Sequence, residues 1–228
     1  MKLYAFDLDG TLCDYGKGLL PETIASLREL EDRGDRVCIC SGKPVFYLCG
    51  MLRQIGLREP IMIGENGGVV QFGVELPPEK SYHLSRNELA VSQLEALRKR
   101  LHEAFGDSVW YQPNEVEVTV FPKKREQFPL VAKYYDPKVL SECTVYPLSD
   151  CFDALPNDVA KSTGLSFVCS LLGIGPEDVV AVGDALNDIP MLTFAGEALG
   201  IRFPDPSLVH RNFDTIGDAL AYLTGAAR

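Results

Sequence analysis

No stretch of the 228-residue sequence approaches the ~20 consecutive apolar residues that a membrane-spanning helix requires, so a helical membrane protein is not expected. The opening MKLYAFDLDGTL turns acidic at residue 7, which interrupts the apolar region of a signal peptide; the expected location is the cytoplasm. Basic residues are in the minority. The 22 Lys and Arg face 32 Asp and Glu, a formal charge of −10. A diffuse attraction to nucleic acid or anionic lipid is therefore disfavoured, and neither is expected as a partner. An anionic substrate would need a local cationic site. The seven cysteines include no C-x-x-C, and His83, His102 and His210 lie far apart, so no cluster has zinc-ligand spacing. Cys38 and Cys40 alternate with Val37 and Ile39 in a strand-like run and read as reduced and buried. No internal repeat or low-complexity tract is visible, which sets repeat architectures aside. What remains, 46% hydrophobic and 24% charged, is an ordinary globular composition, long enough for one large core with a smaller appended domain.

The first third alternates apolar runs with helical periodicity, as a β-α-β chain does. Strands are expected at 2–8, 36–40 and 61–63, and helices at 21–33 and 45–55. Pro21 suits a first helical position and Gly34 the residue just past a helix end. Gly67-Gly68 marks a hairpin turn, since Val69-Val70 resumes the apolar run. From about Leu76 to Leu155 the pattern changes to a long amphipathic helix over 85–105 and β-type alternation over 115–121 and 142–146. A helix over 158–172 and a strand over 178–182 restore the earlier rhythm, continued by a strand over 199–203 and a helix over 215–223. The reading is an α/β fold whose core, residues 1–76 and 156–228, is interrupted by an α+β insert over 77–155.

Four segments carry chemistry. Asp7-Leu8-Asp9-Gly10-Thr11 follows the first apolar strand, at the sheet edge that faces ligands in parallel α/β proteins. Residues two apart in extended chain point the same way, so Asp7 and Asp9 can address one volume. Two such carboxylates repel unless a cation lies between them or one keeps its proton, and a hard cation such as magnesium suits oxygen ligands. The pair alone equally fits a strand-end turn; the following Gly-Thr, with its exposed backbone N–H groups, adds weight to the site. Ser41-Gly42-Lys43 stands between a strand and a helix, where hydroxyl, N–H groups and helix dipole suit an oxyanion, although Ser41 equally fits a helix cap. Lys161 is expected in the first turn of a helix capped by Asn157 or Asp158. A lone lysine is usually a solvated charge, but a cation at that end of a helix asks for a compensating anion. Asp184 ends the apolar run 179–182, and Asp188, four residues on, fits either a ligand or a helix cap. Together these chain ends supply carboxylates, one hydroxyl and one ammonium group, the equipment of phosphoryl transfer.

In that order, Asp7-x-Asp9-Gly-Thr, Ser41-Gly-Lys, Lys161 and Gly-Asp184-x-x-Asn187-Asp188 resemble the haloacid dehalogenase superfamily of phosphatases. The likeness covers the whole chain. The insert looks like the α+β (type C2B) cap of the Cof-like branch, shared by sugar phosphatases, archaeal phosphoglycolate phosphatases, mannosyl-3-phosphoglycerate phosphatases and phosphomannomutases. The 152–156 lead-in to Lys161 and the turn Gly64-Glu65-Asn66-Gly67-Gly68 are similar to that branch too. Two departures are mild: Ser-Gly-Lys replaces the commoner Thr-Gly-Arg, and Ser162 stands where Gly usually follows the lysine. The resemblance implies a Rossmann-like core and a phosphomonoesterase working through an aspartyl-phosphate. In it Asp7 is the nucleophile, Asp9 the general acid and base, and Lys161 a charge-stabilising group. Magnesium would be held by Asp7, the backbone carbonyl of Asp9, Asp184 and Asp188. Thr11, Ser41, Gly42, Lys43, Asn66, Lys161 and Asn187 would surround the substrate. That substrate is expected to be a small phosphorylated metabolite such as phosphoglycolate or a sugar phosphate, and the protein a monomer or homodimer. The alternatives are a phosphosugar mutase and a non-catalytic, phosphate-responsive binding domain; a signalling receiver would be about half this length and lack the insert. In the insert, Trp110, Tyr111, Tyr134 and Tyr135 read first as its own core and Lys123, Lys124 and Arg125 as a solvated face, with reach over the site the functional alternative.

Overall fold

The computed structural model describes residues 1–225. The chain divides into two compact units, one of residues 1–82 and 160–228, the other of residues 83–159.

In the first unit the chain runs β1 (Leu3–Phe6), α1 (Pro21–Asp32), β2 (Arg36–Cys40), α2 (Val45–Ile55), β3 (Ile61–Gly64), β4 (Val69–Phe72) and β5 (Lys80–His83, at the boundary). The second unit holds α3 (Glu88–Phe105), β6 (Val109–Tyr111), β7 (Val118–Pro122), α4 (Phe128–Ala132), β8 (Cys143–Pro147) and β9 (Phe152–Pro156). The first unit resumes with α5 (Lys161–Leu172), β10 (Val179–Gly183), α6 (Ile189–Phe194), β11 (Glu197–Ile201), β12 (Arg211–Phe213) and α7 (Ile216–Thr224). This is the α/β class expected from the alternation of elements. No helix among the described residues is long and apolar enough to cross a membrane.

Short, fully apolar segments such as LYAF and VVAVG are what a parallel sheet buried on both faces demands, and β1 and β10 are buried throughout. The sheet order is β12-β11-β10-β1-β2-β3-β4-β5. β1 is parallel to β10 on one side and to β2 on the other, with Phe6 beside Val182 and Ile39. The order reverses at β1. A reversal of this kind opens a crevice at the C-terminal strand ends. The register therefore delivers Asp7, Ser41 and Asp184, each just past its strand, to one edge.

The second unit is a four-stranded antiparallel sheet, β6-β7-β9-β8, with its own core. Leu94, Leu97 and Leu101 recur at helical spacing on α3 and meet Val118, Val120, Phe152 and Ala154 of the sheet. Tyr135 stacks on Phe152 at 4.9 Å, while Tyr111 and Tyr134 pack around the same cluster. Trp110 is half-exposed against Phe121, and Lys123, Lys124 and Arg125 are exposed.

Two expected caps and one helix start are corrected. α5 begins at Lys161 with Ala160 at the cap position, and no side chain caps it. The Asp158 carboxylate instead accepts from Ser85 Oγ at 3.0 Å and the Arg86 N–H at 2.7 Å, within the second unit. With Ser85 so engaged, α3 starts at Glu88, three residues later than expected, where Asn87 Oδ1 accepts from the Ala90 N–H at 3.1 Å. Ser41 does not cap α2, whose cap position is Pro44.

Candidate active site

Asp7 leaves β1 with its N–H donated to the Val182 carbonyl at 2.9 Å, and its side chain is buried. Lys161, the first residue of α5, sends its fully buried ammonium between two acids, donating to Asp7 Oδ1 and to Asp188 Oδ1, each at 2.6 Å. The other oxygen of Asp188 accepts from the Asp184 and Ala185 N–H groups at 2.9 and 3.0 Å, which folds the turn after β10 into a tight loop. Asp188 occupies the cap position of α6, but its side chain does not cap that helix; it binds the preceding turn's backbone and pairs with the lysine.

Asp184 is steered by Thr11, whose Oγ1 donates to its Oδ1 at 2.6 Å. Close approach makes this possible. Gly10 has φ +96°, and a Cβ there would run into the Asp184 carboxylate. One oxygen each from Asp7, Asp184 and Asp188 lies within 4.8 Å of the others. The Asp9 carboxylate lies outside that group and pairs with Lys43 Nζ at 3.1 Å. Ser41 Oγ accepts from the Lys43 N–H at 3.3 Å, while the serine's own N–H donates to Ile63 O at 2.9 Å. Asn187 Nδ2 donates to Asn66 Oδ1 at 3.2 Å.

These contacts link Asp7, Thr11, Lys161, Asp184 and Asp188, and join Asp9, Ser41, Lys43, Asn66 and Asn187 beside them, so that several have a protein partner that their sequence positions do not reveal. Thr11 orients a carboxylate, Lys43 holds Asp9, and Asn66 and Asn187 bind each other. Tyr15 carries no sequence signal. Its side chain is exposed, yet partial desolvation and the charges of Asp184, Asp7, Asp9 and Asp188 push its phenol up.

The electrostatics ask for more positive charge. Burial, with help from Asp188 and Asp184, pushes the Asp7 carboxyl up to about 8 although Lys161 pulls the other way. Burial and Asp188 push Asp184 up to about 6 against the Thr11 hydrogen bond. Burial disfavours the Lys161 ammonium, but Asp188 and Asp7 outweigh it and hold the group charged well above its ordinary range. Three carboxylates around one ammonium leave an excess of negative charge in a buried, all-oxygen donor set. Such a set fits a hard divalent cation and suits neither softer metals nor an apolar ligand.

The profile of the haloacid dehalogenase-like hydrolases matches residues 4–143 and 116–202. A phosphoglycolate phosphatase of Haloarcula marismortui is 32% identical over 216 residues, covering 93% of this chain and 89% of that protein. Among solved structures, a haloacid dehalogenase-like hydrolase from B. subtilis covers 100% of both chains with a TM-score of 0.74 at 18% identity. The sugar phosphatase BT4131, of HAD subclass IIB, covers 98% of this chain and 99% of its own with a TM-score of 0.72 at 18% identity.

Proposed function

The chain belongs to the haloacid dehalogenase-like hydrolase family and is a phosphatase of it, and from that premise we propose that it hydrolyses a small phosphomonoester, phosphoglycolate or a sugar phosphate, with magnesium and through an aspartyl-phosphate. The observation that carries this reading is the Lys161 ammonium wedged between Asp7 and Asp188, beside Asp184, from a position 154 residues away from Asp7. Every reacting group named here comes from residues 1–82 and 160–228.

An oxygen of the Asp7 carboxylate attacks phosphorus in line, forming the acyl-phosphate bond as the bond to the leaving oxygen breaks. Asp9 gives that oxygen a proton, then takes one from the water that attacks the acyl-phosphate and releases inorganic phosphate. Lys161, the Ser41 hydroxyl and Gly42 hold the non-bridging oxygens, where preorganised donors are most effective. Magnesium, held by Asp7, Asp184, Asp188 and the backbone carbonyl of Asp9, would neutralise charge between nucleophile and phosphate.

The test is phosphate release by the purified protein with magnesium from phosphoglycolate, hexose phosphates, mannosyl-3-phosphoglycerate and an aryl phosphate. Asp7→Asn should cost at least ~10³ in turnover, each decade being ~1.4 kcal/mol of barrier. Turnover near wild type in that variant, or silence of the wild type across the panel, would overturn the proposal.

A further inference from the structure

The Ser41–Lys43 loop, the start of α5 and the Asn187–Asp188 turn come from three separate parts of the chain, yet their polar groups must keep register to within a few tenths of an ångström. One tight turn touches all three. Between β3 and β4 the chain passes through Glu65, Asn66 and Gly67 with φ of +52°, +50° and +109°. L-residues are strained there because Cβ crowds the following carbonyl oxygen. Glu65 and Asn66 are both buried, so their surroundings hold them in this conformation.

Those surroundings are the site. The Glu65 N–H donates to Lys43 O at 3.1 Å and the Asn66 N–H to Ser41 O at 3.0 Å. The Asn66 side-chain oxygen accepts from Asn187 Nδ2 at 3.2 Å. Gly67 lies so close to the start of α5 that a Cβ would run into the Ala160 carbonyl oxygen, one residue before Lys161. Asparagine suits the second position twice over, since it tolerates the left-handed region and offers an acceptor.

We propose that Asn66 is a positioning residue, and that the turn Glu65–Gly67 keeps the hydroxyl loop, the lysine and the Asp188 turn in register. Through Asn187 it steadies the loop whose Asp188 grips Lys161; through the Ser41 and Lys43 carbonyls it sets the hydroxyl. The inference rests on the phosphatase reading of the site, and it moves Asn66 from contact with substrate to the support of the groups that make that contact.

The test compares Asn66→Gly, which keeps the backbone conformation accessible and removes the side-chain amide with its acceptor, with Asn187→Ala and the double variant. With an aryl phosphate and magnesium, Asn66→Gly should lower kcat about threefold to tenfold, the kinetic equivalent of one net hydrogen bond, with KM held within about twofold. The double variant should fall no further than Asn187→Ala alone, because both substitutions remove the same link. Hydrogen exchange supplies a readout free of turnover. The Asp184 and Ala185 N–H groups, held by Asp188, should exchange faster in Asn66→Gly, or in Asn187→Ala should the glycine variant not fold. Additive kinetic losses or unchanged exchange at those two amides would overturn the proposal. If the wild type releases no phosphate, the phosphatase reading fails and exchange alone decides: faster exchange upholds the positioning role, and unchanged exchange ends it.

Discussion

Replacing Lys161 with methionine keeps most of the side chain's length and removes its charge. In the native site the ammonium is fully buried and lies 2.6 Å from an oxygen of each of two acids, with a third acid within 4.8 Å of both. Breaking a buried pair from one side leaves an uncompensated charge, at a cost of about 3–5 kcal/mol. For a chain of this size that corresponds to a fall of roughly 6–20 °C in melting temperature. The cost should depend on pH with a definite sign. A carboxyl whose folded-state pKa is raised, as for Asp7 at about 8 and Asp184 at about 6, destabilises the fold progressively as pH climbs from its unfolded value towards the folded one. Without the lysine these pKa values rise further, so the extra penalty develops as pH climbs past about 6 for Asp184 and past about 8 for Asp7, and it shrinks towards pH 5, where both acids are protonated with or without the lysine. Denaturant melts of both proteins in EDTA at pH 8 and pH 5 measure this directly. A difference below about 1 kcal/mol at pH 8, or one independent of pH, would refute the charge balance assigned to the site. Turnover of Lys161→Met should fall by ~10² or more, because in the proposed mechanism the ammonium meets charge on the transferring group.

Thr11→Val removes the 2.6 Å hydrogen bond that orients Asp184, and magnesium affinity measured by calorimetry should weaken about 10-fold to 100-fold, as it does when an outer-sphere partner is lost. A dissociation constant within about twofold of wild type would show that Asp184 needs no such support. With the Asp7 carboxyl raised to about 8, magnesium bound there as proposed would have to displace its proton at pH 7. Apparent affinity should therefore climb between pH 6 and 8, and titrations at pH 7 in buffers of different ionisation enthalpy should reveal roughly one proton released per ion. Affinity flat across that range would contradict the raised pKa.

What could be read from residue order was whatever depends on local pattern. The apolar runs before Asp7, Ser41 and Asp184 announce buried parallel strands, and a polar residue at the end of each announces the ligand edge. The three acids and the lysine were accordingly visible as candidates before any coordinates. What escaped was set by partners far along the chain. Asp158 is a plausible cap for α5 until Ser85 and Arg86, more than 70 residues earlier, take its carboxylate. Thr11 next to a glycine looks like a phosphate-loop residue; that its hydroxyl serves Asp184 follows from strand register, which no local spacing encodes. The same holds for Lys43 with Asp9 and for Asn66 with Asn187. The edge strands β5 and β12 read KSYH and RNF, too short and polar to show any alternation.

The pairing of β1 with β10 joins segments far apart in the sequence, Leu3 beside Val179 and Phe6 beside Val182. A nascent polypeptide still lacking β10 has Asp7 and Ser41 but no Asp184 or Asp188, so it cannot gather the acids that would capture a cation. Residues 83–159 have a core of their own, which needs no contribution from β10. Such distant strand pairing is slow to form. Hydrolytic capacity therefore waits on the same event that completes the sheet.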